Sequence, residues 1–443
     1  MSRGSAATAP AQTTAPAPAT TSAPATTSAP ATTSAPATTP APATPDRLVG
    51  DVTAAAFRRG FPMLERTVHL ASCSLGARSD AVDEALERMQ EAITAHGAPW
   101  GRFEQEIEEA RQRFADLIGA GPDQIAILPN ASVGAYQVVS TLSLETRVDI
   151  VTTVEEFPSV AHVWLAQRPR GARVIFTGDQ ATGRIRASDY TAAMGDSTAL
   201  VSVPMSTYQF AERPPVSEIV EAGRSAGALT FVDAYQAVGV MAVDVADIGC
   251  DYLVAGTMKY LAGLPGLAFL YARAGLTSDQ DPQLTGWFGR VEPMAFDPLR
   301  LDFPAIARRF ETGTPAVPAV YAANAALGLF RGVDMADVRR HVGALTDRTA
   351  RTLTAQGERV RKAERPELQG AHLGLYDADP RALAGWLAGQ GIAVSPRGPV
   401  VRLSFHYYNS TDDVEALCQA MREFRALTGP ALSVPLPKVR PAA

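Results

Sequence analysis

The stretch "AGTMKYLAGLPG" (255–266) sets one lysine, Lys259, between a small-polar run and a glycine–proline loop. A buried ammonium costs several kcal/mol unless it is paired or neutralised. Lys259 is therefore a solvated loop residue, a phosphate clamp or a covalent attachment point, and its surroundings decide which. It is flanked by two continuous apolar runs, "DYLVAGT" (251–257) and "GLAFLYA" (266–272). Five more precede them: "QIAILP" (124–129), "RVDIVTTV" (147–154), "RVIFTG" (173–178), "TALVSVPM" (198–205) and "ALTFVDA" (228–234). Runs without alternation fit strands buried on both faces. Helix-like stretches such as "FEQEIEEARQRFADLI" (103–118) and 214–226 lie between them. Strands alternating with helices imply a mostly parallel α/β sheet, and such sheets bind ligands outside the strand C-termini.

The rest of the 443-residue chain frames that sheet. Residues 1–45 are nearly all Ala, Pro, Thr and Ser, with "TTSAPA" recurring from Thr20. Without large apolar side chains they cannot offset chain entropy, which predicts a disordered tail. About 390 residues remain, enough for one large and one smaller domain. After about residue 315 the texture changes. An Ala-rich helical stretch (316–331) leads to "HLGLYDA", "GIAVSPRG" and "VVRLSFHYYN", then to a last helix with Thr411 as N-cap. This reads as a smaller α+β domain. The expected division is 68–312 for the large domain, 46–67 with 313–430 for the small one, and 431–443 as an extended tail.

Composition excludes several classes of function. The net charge of −6 is mild, and no basic patch carries interleaved aromatics, which argues against nucleic acid. No apolar run reaches the roughly 18 residues of a membrane span. The three cysteines, Cys73, Cys250 and Cys418, are scattered, which suits a reducing cytoplasm. "GRSAG" (223–227) matches GxSxG, but a nucleophile elbow needs a strand before it and a helix after it. Here the order is reversed, so Ser225 reads as part of a helix-terminating turn. No GxGxxG follows a strand, no GxxxxGK[ST] occurs, and the six histidines show no zinc spacing.

What remains gathers around Lys259. "FVDAYQAVG" (231–239) ends a buried strand on Asp233, a carboxylate that is costly there unless it meets a cation. "ILPNASVGAYQVV" turns from strand to helix at Ala131, Ser132 and Val133, where free amides bind phosphate. "VEEFPSV" puts Phe157 just after another strand. Each residue has a plainer reading: Asp233 and Ser132 as N-caps, Phe157 as core, Lys259 as a solvated loop residue. Together they supply a phosphate nest, an aromatic face, a carboxylate and an amine at one sheet edge. Pyridoxal 5'-phosphate needs those four things: an amine for its aldehyde, a carboxylate for its ring nitrogen, amides for its phosphate and a flat partner for its ring.

The region 68–430 resembles the class V aminotransferase family of fold-type I pyridoxal-phosphate enzymes, which includes cysteine desulfurases, isopenicillin N epimerases and kynureninases. "VDAYQAVG" is similar to its D-x-x-[HQ]-x-x-G segment, which implies that Asp233 pairs with the pyridine nitrogen and Gln236 bonds the ring's phenolic oxygen. "AGTMKYLAGLPG" resembles the Schiff-base segment, which makes Lys259 the attachment point and proton shuttle, with the Thr257 hydroxyl near the phosphate. "RFETGTP" (309–315) resembles R-F-E-x-G-T-P, implying that Thr314 reaches the phosphate of a partner subunit and hence a homodimer with shared active sites. "VVRLSFHYYNSTDDVEAL" resembles the segment with the substrate-carboxylate arginine, here Arg402. "HLASCSLG" (69–76), "LTGWFGR" (284–290) and "EEFPS" are similar to kynureninase segments, in which Phe157 stacks on the ring and Trp287 touches the phosphate.

Departures from the family then shape the expected reaction. Kynureninases carry a proton-donating tyrosine immediately before the lysine, where this chain has Met258. Desulfurases carry a catalytic cysteine before the substrate arginine, but "SPRGPVV" (395–401) has none, and Cys73 and Cys418 fall elsewhere. An asparagine position of many relatives is Thr207, with Tyr208 and Gln209 beside it as cavity residues. The resemblance implies binding of an L-amino acid on Arg402 and loss of its Cα proton to Lys259. A C–S-lyase-like β-elimination on a modified cysteine is the favoured outcome. An aminotransferase, or an epimerising or decarboxylating oxidative variant, is the alternative, and a non-catalytic cofactor-fold protein is the alternative of another class.

Overall fold

Seven strands make the sheet that carries the site, in a computed structural model that describes residues 52–179, 182–276 and 281–429. The expected tails at 1–45 and 431–443 lie outside the described residues. A short β1 (Val68–His69) precedes the sheet. Its members are β2 (Ile125–Leu128), β3 (Asp149–Thr153), β4 (Arg173–Thr177), β5 (Thr198–Pro204), β6 (Leu229–Asp233), β7 (Tyr252–Gly256) and β8 (Ala268–Ala272). The spatial order is β2-β8-β7-β6-β5-β3-β4. Every pair from β7 through β4 is parallel, and β8 runs antiparallel to both of its neighbours. These are the seven apolar runs of the sequence; six are buried nearly throughout, which is the expected cause of their lack of alternation, while edge strand β4 leaves Arg173 and Phe176 exposed. Along β7, Tyr252 and Val254 pack into one apolar cluster while Leu253 and Ala255 pack into another, so both faces of the sheet are covered.

Helices follow the strands and are punctuated where side-chain chemistry allows it. The helix Asp80–His96 starts at Ser79, whose hydroxyl accepts from the Val82 amide. The helix Val216–Ser225 runs directly into β6, so Ser225 ends a helix rather than crowning a strand. The final helix, Thr411–Thr428, is capped one residue earlier than the sequence suggested. Ser410 accepts from the Asp413 amide while Asp413 accepts from the Ser410 amide, a reciprocal capping box.

Beyond the sheet lie β9 (Val360–Arg361), β10 (His372–Tyr376), β11 (Ile392–Ala393), β12 (Ser395–Arg397) and β13 (Val400–Ser404). Four of them form an antiparallel sheet in the order β12-β13-β10-β9, and β11 pairs with β1 in parallel. The chain thus returns from residue 392 to residue 68, and the segment after β1 becomes a wall of the central cavity. The "RFETGTP" segment is anchored by a buried ion pair. Glu311 accepts from Arg111 at 2.6 Å and from the Ile127 amide at 2.9 Å, which ties edge strand β2 to the helix Trp100–Ile118.

Candidate active site

Four strand ends converge on one cavity of about 240 Å³. The turn after β2 brings Asn130, Ala131 and Ser132, the turn after β3 brings Phe157, β6 ends on Asp233, and the loop after β7 carries Lys259. This is the C-terminal edge of the parallel strands.

The lysine loop is held by backbone, and two glycines explain why. The Gly76 amide donates to the Met258 carbonyl at 2.8 Å, and a Cβ on Gly76 would overlap the Lys259 carbonyl and the Ala262 backbone. Gly239, at φ +97°, sits against the Tyr260 carbonyl with no room for a side chain. "SCSLG" and "DAYQAVG" therefore fix the lysine backbone as well as supplying side chains. The Lys259 Nζ lies 4.7 Å from the Tyr235 ring centroid and 5.3 Å from that of Phe157. Burial pulls its amine down to about 8; Asp233 opposes the shift, and Arg402 and Arg397 add to it.

Asp233 accepts from the Tyr235 amide at 2.8 Å. Burial raises its carboxyl, and that amide and Lys259 pull it back. Glu156, which sequence reasoning did not single out, lies beside it. Burial first, and then the Asp233 charge, raise the Glu156 carboxyl. Glu156 accepts from the Phe157 amide at 2.8 Å and the Ser202 hydroxyl at 3.0 Å. Two carboxyl groups buried side by side cannot both ionise cheaply. Lys259 favours the charge on Asp233, so the proton stays on Glu156.

The other sequence candidates divide. Ala131 and Ser132 line the cavity, and their amides head a helix that offers them no acceptor. Val133 does not line it, because its amide is taken by the Asn130 side chain at 3.0 Å. Gln236 lines the cavity, with its amide nitrogen on the Cys73 carbonyl at 3.0 Å and its Oε1 left without a partner. Thr257 is buried below the loop, where its hydroxyl donates to the Leu264 carbonyl. Thr207 is likewise engaged, accepting from the Glu212 amide at 3.0 Å, and Ser206 faces the cavity in its place with an unpartnered hydroxyl. Tyr208 lines the cavity edge-on to Phe157 at 5.3 Å. Arg402, 1 % exposed, donates to the Tyr208 carbonyl at 2.8 Å and the Ser395 hydroxyl at 2.7 Å. Trp287 packs on Trp100, Phe288 and Phe296 away from this cavity, and Thr314 is exposed.

Tyr235, Ser206, Cys73 and Arg397 also line the cavity. Tyr235 had a signal, since Gly256 leaves room for its ring where any Cβ would collide with it. Cys73, near the start of the chain and outside the segment where desulfurases carry their cysteine, is brought into the cavity by the fold. No group of His, Cys, Asp and Glu suited to a metal occurs among the described residues.

The Aminotransferase class-V family profile matches residues 79–417. The chain belongs to that family. A Bacillus subtilis protein named "Uncharacterized aminotransferase YcbU" is 35% identical over 358 residues, covering 81% of this chain and 94% of that one. A Deinococcus radiodurans kynureninase is 28% identical over 68% of this chain and 74% of its own. The solved cysteine desulfurase of Thermococcus onnurineus shares the fold at a TM-score of 0.77 and 22% identity, over 85% of this chain and 99% of that one. This class V chain is accordingly a fold-type I, pyridoxal-phosphate-dependent lyase or transferase. Its residues fit the cofactor. A buried amine, a buried carboxylate and an aromatic face surround two buried polar atoms, Gln236 Oε1 and Ser206 Oγ, that lack partners within the protein.

Proposed function

We propose that the chain cleaves a C–S bond by β-elimination from an L-amino acid of modified-cysteine type. The observation that carries this is the lysine's setting. A buried amine, lowered to about 8, stands beside the ring site while Met258, a side chain with no proton to give, lines the same cavity. A leaving thiolate needs no proton donor, whereas a carbon leaving group does. Bound pyridoxal phosphate would supply the electron sink for Cα deprotonation. The protein does the rest. Arg402 receives the α-carboxylate, and its guanidinium is already fixed in place by two neutral acceptors. With the cofactor bound, Asp233 would face its ring nitrogen, the Ala131 and Ser132 amides would hold its phosphate, and Lys259 would take the Cα proton. Incubation with S-alkyl cysteines tests this: pyruvate and thiol are expected without added 2-oxo acid. Turnover that requires an oxo acid would make the chain an aminotransferase instead.

One observation favours a second reading, the desulfurase one: Cys73 lines the cavity beside Lys259. In that reading the Cys73 thiolate attacks the substrate sulfur. The C–S bond breaks with its electron pair going to Cβ, which is then protonated, and alanine leaves. Alanine in place of pyruvate, with a Cys73 peptide one sulfur atom heavier, would establish it.

The homodimer rests on the loop around Trp287. Phe296 is 68% exposed and Leu299 95% exposed, beside Val291, Met294 and Leu301. Several large apolar side chains exposed along one loop call for a cover, and a second copy that receives Thr314 and Trp287 at its phosphate site would supply it. We place the protein in the cytoplasm, in line with its three free, buried cysteines. No helix among the described residues is long and apolar enough to cross a membrane.

A further inference from the structure

The hairpin of β12 and β13 turns two guanidinium groups toward one cavity. Across the antiparallel ladder Ser395 pairs with Arg402, and Arg397 pairs with Val400. Residues two apart on a strand share a face, so Arg397, Ser395 and Arg402 lie on the same side. The 2.7 Å bond from Arg402 to the Ser395 hydroxyl identifies that side, and both arginines line the Lys259 cavity. Diagonal neighbours of this kind lie about 7–8 Å apart, within reach of long side chains. The hairpin turn fixes where Arg397 sits. Gly398, at φ +55°, packs against Gln209, next to the Tyr208 whose carbonyl holds Arg402.

Neither arginine has a carboxylate partner among the described residues. Arg402 donates to two neutral oxygens, and the Arg397 guanidinium makes no hydrogen bond or ion pair among the described residues. Of the acids nearby, Glu212 pairs with Arg361, Asp233 faces Lys259, and Glu155, whose carboxyl burial raises and whose field also reaches Tyr208, makes no ion pair with either arginine. The field of both guanidiniums reaches Lys259 and Tyr208. One cavity with two unmatched guanidiniums is electrostatically complementary to a ligand with two anions.

We propose that the substrate is an amino acid with a second oxyanion in its side chain. Its α-carboxylate meets the buried Arg402, and the side-chain carboxylate or sulfo group meets Arg397 at the cavity mouth. The inference rests on the amino-acid reading of this site. Combined with C–S cleavage, it narrows the substrate to S-carboxyalkyl or S-sulfo cysteines.

The test uses the holoenzyme and two amino acids with no Cα hydrogen, 2-methylglutamate and 2-methylglutamine, which differ in side-chain charge. Calorimetry should give a dissociation constant at least about tenfold lower for the glutamate analogue, with the preference shrinking as salt is added. Arg397→Gln should bring the two constants within about twofold without changing that of the neutral analogue, and Arg397→Lys should keep part of the preference. Equal affinities in the wild type, or an intact preference in Arg397→Gln, would overturn the proposal. If no S-substituted cysteine yields pyruvate but the charge preference holds, the C–S-cleavage reading fails and this one stands.

Discussion

Lys259 should react with an aldehyde at neutral pH as few lysines can. With its amine at about 8, roughly a tenth is neutral at pH 7. An ordinary lysine at about 10.4 is ~0.04% neutral at that pH, so the structure supplies a gain of a few hundred-fold in reactive amine. Burial is the main cause, and the Asp233 carboxylate offsets part of it. The assay mixes cofactor-free protein with pyridoxal phosphate from pH 5.5 to 10 and follows the visible band near 420 nm. Each rate is divided by that of a lysine model amine in the same buffer, which cancels the aldehyde's own ionisations. The ratio should be level up to pH 8 and then fall toward pH 10 as the model amine deprotonates. A ratio level to pH 10 would mean that the Lys259 amine is not depressed, and would refute the account of the cavity as dry. Lys259→Ala should show no band at any pH.

Three further outcomes follow from named contacts. Glu311→Ala leaves the Arg111 guanidinium buried without its counter-charge, a loss of ~3–5 kcal/mol. For about 380 folded residues at ~2.1 cal/mol/K each, that is a fall of roughly 4–6 °C in Tm by calorimetry, and adding Arg111→Met should restore most of it. Glu156 makes stability depend on pH with a definite sign. Its folded-state carboxyl is raised to about 8 from an ordinary 4.5, so its stabilising proton is fully present below pH 4.5 and lost as pH rises through 8. Lys259 acts in the opposite sense, because its depressed amine makes stability rise between pH 8 and 10.5. The Tm of Glu156→Gln should therefore fall less than the wild type's between pH 5 and 8, and identical slopes would remove Glu156 from the account. Gly76→Ala should displace the Lys259 carbonyl, reducing cofactor occupancy at least ~10-fold by absorbance with little change in far-UV circular dichroism.

The central sheet was legible in the sequence because six of its strands are buried on both faces and have no polar alternation to hide them, and all seven runs, exposed edge strand β4 included, became strands. The order of chemistry-bearing residues along those strands also carried through, since the C-terminal edge of a parallel sheet is one place in space. Less legible was which of two adjacent side chains turns inward. Ser206 faces the cavity while Thr207 caps a turn, and Ala131 and Ser132 face it while the Val133 amide serves Asn130. A one-residue choice of this kind is set by side-chain hydrogen bonds within the turn itself, from the Glu212 amide to Thr207 and from the Val133 amide to Asn130, which the apolar pattern does not encode. Cys73 was misplaced for a related reason. Its distance from Lys259 along the chain is long, but β1 pairs with β11 and carries the segment after it into the cavity wall.

That wall has a consequence for how the protein is made. Cys73 donates its amide to the Ser404 hydroxyl at 2.8 Å, and the Tyr408 hydroxyl meets Ser72 at 2.5 Å and the Ala77 amide at 3.3 Å. The same wall holds the lysine loop through Gly76. A nascent chain stopped before residue 404 therefore has the lysine, the carboxylate, the phosphate cradle and the wall itself already synthesised, but not the Ser404 and Tyr408 hydroxyls that hold the wall in place. The wall that fixes the lysine loop is thus locked only by residues made near the end of the chain.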